Sequence, residues 1–209
     1  NTLLYDHEYP RACALAQELY KVGVDALIIQ DLNLLNYDLP PIRLHASTQC
    51  DNRTPEQILH LQQLGFRRAV LARELSLQDI ANINNAILIQ NSKFQIELEA
   101  FVHGALCVSY SGRCQASQFC FSRSANRGQC AQFCRLPFSL VDAEGKVLAK
   151  EKYLLSLRDM NRTASLEKMM DAGIRSFKIE GRLKDVSYVK NVTAWYRRRI
   201  DEILRRRLE

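Results

Sequence analysis

No stretch of the sequence approaches the ~20 consecutive apolar residues that a membrane-spanning helix needs, so no membrane partner is expected. No signal peptide opens the chain. It has no initiating Met, starting instead at Asn1 in what reads as the end of a strand, Asn1–Leu4. The missing Met predicts an excised, N-terminally truncated fragment, whose ends say nothing of targeting; a cytoplasmic location is expected. There is no Ser-centred elbow and no His-Glu-x-x-His, so two familiar peptidase centres are missing. No Cys–His pairing stands out apart from one Cys-rich stretch. Charge of one sign does not dominate: 29 Lys and Arg against 23 Asp and Glu leave +6. The surplus gathers at Arg197–Arg199 and Arg205–Arg207. Two readings stay open for these clusters, a solvated helix face and phosphate contact with nucleic acid.

Cysteine, by contrast, is plentiful. Seven is many for a cytosolic fold and an odd number for a disulfide scaffold. Five lie between Cys107 and Cys134, and such crowding favours a metal or cluster site.

The rest of the chain repeats one unit, an apolar helix end, a Gly and a short strand. It appears at Leu19–Ala26, Leu64–Ala69 and Ala172–Ser176. Gly after a helix is the expected left-handed C-terminal cap. Strands are predicted at Ala26–Ile29, Arg43–Ala46, Ala69–Leu71, Ile96–Phe101 and Ser176–Ile179. Helices are predicted at Pro10–Val22, Pro55–Leu64, Leu77–Ala86 and Leu166–Ala172. Strands alternating with helices mean a parallel sheet. Polar residues follow each strand, as they do on the active face of an α/β barrel. They include His45 and Gln49, Arg73, Glu99 and His103, and Lys178, Glu180 and Arg182. A doubly wound sheet would collect them too. A TIM-like (β/α) barrel over 1–209 is favoured, although only about six of its eight strands can be counted. The missing strands would precede Asn1 and leave an open edge for self-association. Two stretches break the rhythm: the Cys-rich loop 104–137, whose length calls for a bound group, and a β-hairpin insertion at 138–150.

Within the loop the spacing is Cys107-x6-Cys114-x15-Cys130-x3-Cys134. Thiolates suit zinc and iron–sulfur clusters alike. The gaps differ from the x2 knuckles of structural zinc sites, which leans toward a cluster. Cys120 competes for a ligand place. Arg113, Arg127 and Arg135 are candidates to offset the charge of a thiolate-bound cluster.

The run Glu99–Cys114 (EAFVHGALCVSYSGRC), with Asn126–Cys130, Cys134-Arg135, Ser176–Arg182 and Asp185–Val189, closely resembles the signature of the peptidase U-32 family, the collagenase-like proteins. The likeness extends over essentially the whole chain. It implies a barrel whose first two strands lie before Asn1. Some members of the family hydroxylate RNA, making 5-hydroxycytidine in ribosomal RNA or 5-hydroxyuridine in transfer RNA and drawing on prephenate. His45–Gln49 (HASTQ) and 104–114 most resemble the ribosomal branch. The resemblance thus implies an enzyme, an iron–sulfur-dependent RNA base hydroxylase. Its cluster, of the 4Fe–4S type, would be held by Cys107, Cys114, Cys130 and Cys134. Prephenate would be a co-substrate, and ribosomal or transfer RNA the partner. Position makes Glu99, His103 and Glu180 candidates for proton transfer. Arg73, Lys178 and Arg182 are candidates for carboxylate or phosphate binding, and His45 and Gln49 for substrate contact. A structural salt bridge is the alternative for each charged residue. Two other functions stay open: a peptidase, as the family name says, and a non-catalytic RNA-binding module whose metal merely folds the loop.

Overall fold

The computed structural model of the chain describes residues 1–90 and 94–209. Local chemistry sets the helices. In α1 (Tyr9–Lys21) Pro10 sits in the first turn, where its missing N–H has no intrahelical partner to lose. Helices α2 (Pro55–Gln63) and α3 (Leu77–Ile89) both open on capping boxes. Thr54 accepts from the Gln57 N–H and Ser76 from the Asp79 N–H, and each partner side chain reaches back.

Between them run the strands β1 (Ala26–Ile29), β2 (Arg43–Ala46), β3 (Arg68–Val70) and β4 (Glu97–Gly104). These pair in parallel in sequence order, and β8 (Ile174–Ile179) lies parallel to β4. A two-residue strand, β7 (Met160–Asn161), pairs antiparallel with the end of β4. The fold is therefore α/β with a mainly parallel sheet. No ladder joins β1 to β8 among the described residues, so they form an open sheet and not a closed barrel. The core lies between the sheet and its helices. Ala46, Ala69, Leu98, Val102 and Ile174 from the strands meet Ile58, Leu61, Ile83, Leu166 and Met169 from α2, α3 and α5 (Leu166–Asp171).

One feature differs from the expectation. Among the described residues Asn1–Leu4 joins no sheet; Leu3 N–H bonds Asn126 O (3.0 Å) and Leu4 N–H bonds Asp31 Oδ2 (2.8 Å). The 104–137 stretch is a chain of short turns around α4 (Ala116–Phe121), with 3-10 turns at Ala125–Arg127 and Phe133–Arg135. Elements this short leave no periodicity to read. The arginine clusters ride on α6 (Val186–Leu208), a 23-residue helix. Four of the six are paired to carboxylates: Arg197 to Asp201, Arg199 to Glu202, and Arg206 and Arg207 to Glu167, with Arg207 also on Asp171. That favours the solvated-helix reading of this face. The hairpin of β5 (Phe138–Val141) and β6 (Val147–Lys152) stands off the core, with Leu140, Val141, Val147 and Leu148 all about half exposed. No helix among the described residues is long and apolar enough to cross a membrane.

Candidate cysteine-lined active site

The loop is held onto the C-terminal ends of the parallel strands by two close approaches that only glycine permits. Gly104 ends β4 at φ +105°, and a Cβ there would lie 2.6 Å from Glu180 O. Gly112, at φ +77°, lies against the turn after β2, where a Cβ would be 2.1 Å from Gln49 O. Side chains complete the attachment. Asp51, left-handed at φ 61° and buried, accepts from Arg53 Nη2 (3.0 Å) and, across the gap, from Arg113 Nε (2.7 Å). Burial alone would raise the Asp51 carboxyl; the hydrogen bonds from both arginines hold it below its usual range. Ser111 gives its N–H and Oγ–H to Glu74 (3.2 and 3.1 Å).

Beneath the loop lies a cavity of about 340 Å³. Cys107, Cys114, Cys130 and Cys134 all line it, whereas Cys120 is exposed on α4 outside it. Burial raises the Cys134 thiol, Arg135 opposes this, and Cys107, Cys130 and Cys114 each add a further rise. Each of the other three thiols therefore stands within electrostatic reach of Cys134. No group of three or more His, Cys, Asp or Glu among the described residues is close enough to share one metal ion. Zinc would need every sulfur ~2.3 Å from a single point. Iron–sulfur clusters present several iron sites to their thiolates and so take thiols spaced around a cavity. Four thiols around one cavity are a donor set that an iron–sulfur cluster would accept.

Of the three arginines expected to offset cluster charge, two already have carboxylates. Arg113 pairs with Asp51, and Arg127 forks onto both oxygens of Glu8 (2.7 and 2.8 Å). Among the described residues Arg135 meets only neutral acceptors, Ser156 Oγ and the carbonyls of Leu106 and Leu157. Its charge alone of the three remains available beside Cys134.

Arg73, Glu180, Arg182 and Gln49 also line the cavity. Arg73 Nη2 donates to Glu180 Oε2 (2.9 Å) while its guanidinium lies over Phe101 (4.0 Å). Its Nε is buried without a partner among the described residues. The other expected site residues lie elsewhere. Glu99 is buried below the cavity, accepting from Ser176 Oγ (2.7 Å) and paired with Lys178 (3.2 Å) and Arg68 (3.3 Å). Burial would raise its carboxyl, but these partners hold it below the usual glutamate value. His45, on β2, is depressed by burial and by Arg68, with Glu99 and Glu97 opposing. His103 Nδ1 lies 3.3 Å from Tyr196 Oη, and its ring packs against Tyr188 and Tyr196 of α6. A register shift between Phe101 and His103 in the β4–β8 ladder accompanies this turn away from Glu99.

The sequence reading missed Tyr110, Arg53, Asp51 and Lys184. For Asp51 the sequence showed only an Asx residue in the turn region after β2, a residue type that tolerates the left-handed conformation. Cys50 contributes nothing to the cavity lining; its thiol bonds the Ile29 and Gln30 carbonyls, and burial pushes it up to about 11.

Sequence comparison matches residues 1–209 to the model of peptidase family U32. Similar proteins include a 23S rRNA 5-hydroxycytidine synthase of Escherichia coli K12, 53% identical over 99% of this chain and 31% of its own length. A tRNA hydroxylation protein of Bacillus subtilis 168 is 34% identical over 93% of this chain and 45% of its length. A collagenase of Porphyromonas gingivalis W83 is 32% identical over 96% and 50%. The chain thus spans a third to a half of these relatives. Because the family model matches every residue from first to last, the chain belongs to peptidase family U32.

Proposed function

We propose that the cavity is the active site of an iron–sulfur-dependent hydroxylase acting on a base of ribosomal RNA. One observation carries the reading: four thiols and the Arg73–Glu180 pair line a single cavity at the C-terminal ends of parallel strands, where α/β enzymes place their chemistry. The similarity to an rRNA 5-hydroxycytidine synthase supports the substrate class. Cys107, Cys114, Cys130 and Cys134 hold the cluster, which when bound supplies electron transfer or Lewis-acid polarisation. Glu180 is the proton-transfer group, being the carboxylate in the cavity and held in place by Arg73 and the Arg182 N–H. Arg182 and Lys184, with the free edge of Arg73, bind the carboxylates of prephenate. Glu99 and His103 act from outside the cavity, fixing β4 between β8 and α6. A base reaches such a pocket only when unstacked, so the RNA is bound single-stranded or with one nucleotide flipped.

Two measurements test this. Anaerobically purified protein should contain iron and sulfide and absorb broadly near ~400 nm from thiolate-to-iron charge transfer, and Cys114→Ala should lose both. Deleting the gene should remove a hydroxylated nucleoside from ribosomal RNA, and the wild-type gene but not Cys114→Ala should restore it. Cleavage of denatured collagen by wild type and Cys114→Ala alike, with nucleosides unchanged, would show a peptidase instead.

A further inference from the structure

Tyr110 lines the cavity at its loop side and is 60% exposed. The Arg53 guanidinium lies over the ring, 4.5 Å from its centroid. Arg53 is itself held by buried Asp51, which also grips Arg113. On the other side, Ser111 is fixed twice to Glu74, and Arg113 N–H bonds Tyr110 O (3.1 Å). The ring is thus pinned through its backbone and backed by a cation. Such a ring loses little freedom when a ligand stacks on it. Aromatic rings in open, positively charged clefts are how proteins take unpaired bases, because every base offers a π-face.

The amides nearby divide by what they already hold. Asn126 is committed, donating to Gly112 O (3.1 Å) and accepting from Gln30 Nε2 (3.3 Å). Gln49 and Gln132 line the same cavity, and their side-chain amides make no hydrogen bond among the described residues. Each offers a donor and an acceptor to a base edge.

We propose that Tyr110, backed by Arg53, is the platform on which an unpaired RNA base stacks, with Gln49 and Gln132 placed to read its edge. This rests on the hydroxylase reading and names its substrate subsite. Substitution of an exposed ring leaves the core intact, so binding can be measured directly. The probe is a short single-stranded, cytidine-containing RNA oligonucleotide, titrated by fluorescence anisotropy into wild type, Tyr110→Phe and Tyr110→Leu. Stacking predicts that Leu weakens binding roughly 5- to 150-fold while Phe stays near wild type. In complemented deletion cells, Leu should lower the hydroxylated nucleoside although the purified variant keeps its iron and sulfide. Leu binding as tightly as wild type would overturn the proposal. So would Phe failing as badly as Leu, which would place the interaction at the hydroxyl and not the ring face. If the deletion changes no nucleoside, the hydroxylase reading falls and takes the platform with it; that failure appears in the wild type, whereas failure of the platform alone appears only in the variants.

Discussion

Gly112→Ala should empty the thiol site while sparing the fold. An ideal Cβ on Gly112 lies 2.1 Å from Gln49 O and 2.8 Å from Gln49 C. The loop must retreat by about 1 Å before this contact reaches even the tight end of the van der Waals range. The obstacle is backbone, which no rotamer can clear. The positive φ of +77° adds ~1–2 kcal/mol for any residue with a Cβ. Against this stand the hydrogen bonds that hold the loop down, two from Ser111 to Glu74 and one from Arg113 to Asp51. At ~0.5–1.5 kcal/mol each, they total about 3 kcal/mol, comparable with overpacking plus backbone strain. The cheapest response is for the loop to lift from the β2 turn. Neither Gly112 nor Gln49 belongs to the hydrophobic core, so the shift in Tm should stay under about 4 °C. Lifting carries Cys114 away from its partners. Iron bound after anaerobic reconstitution should fall by more than half, and trypsin should cut sooner at Arg113 and Arg123. Full iron loading with an unchanged digest would refute the argument, as would global unfolding.

Further expectations follow from the placement of other groups. In metal-free protein treated with iodoacetamide near pH 8, exposed Cys107, Cys120 and Cys130 should label first and Cys50 last, since burial pushes its thiol up to about 11 and the thiolate is the nucleophile. With the cluster loaded, peptide mass spectrometry should find Cys120 still reactive and Cys134 protected; the reverse would exchange their roles. Glu99 has a depressed folded value, so its stabilisation is complete above the unfolded value of ~4.3 and is lost as pH falls through the lower folded value. Acid unfolding followed by circular dichroism should be less steep in that window for Glu99→Gln than for wild type. Glu180→Gln keeps the shape of the cavity and removes its proposed proton-transfer group, so nucleoside formation should drop on the order of a hundredfold with iron content unchanged. A severalfold effect would reduce Glu180 to a partner for Arg73.

What could be read from the sequence depended on how far apart the interacting residues lie. Strand β1 falls at its expected bounds because an apolar quartet between turn residues depends on neighbours only, and β2 (Arg-Leu-His-Ala) also falls at its expected bounds. The helices start where Thr54 and Ser76 cap them for the same reason. The gathering of Gln49, Arg73, Glu180 and Arg182 was legible as well, since the end of every parallel strand opens on one side of the sheet. Position after a strand did not distinguish a residue in the cavity from one beneath it. Glu99 and Lys178 are set inside the strands and bind each other, and His103 is turned toward α6 at a register shift that no period-2 pattern announces. The cysteines were visible as a constellation through spacing, but the device that seats them was not. Asp51 and Arg113 are 62 residues apart and Glu74 and Ser111 are 37 apart, so neither pair carries a local signal. Tyr110 is the sharpest case. In the sequence it is one aromatic in a polar loop. It acquires a role only when Asp51 brings Arg53 over its ring and Arg113 beside it, an arrangement that depends on Gly112 having no side chain.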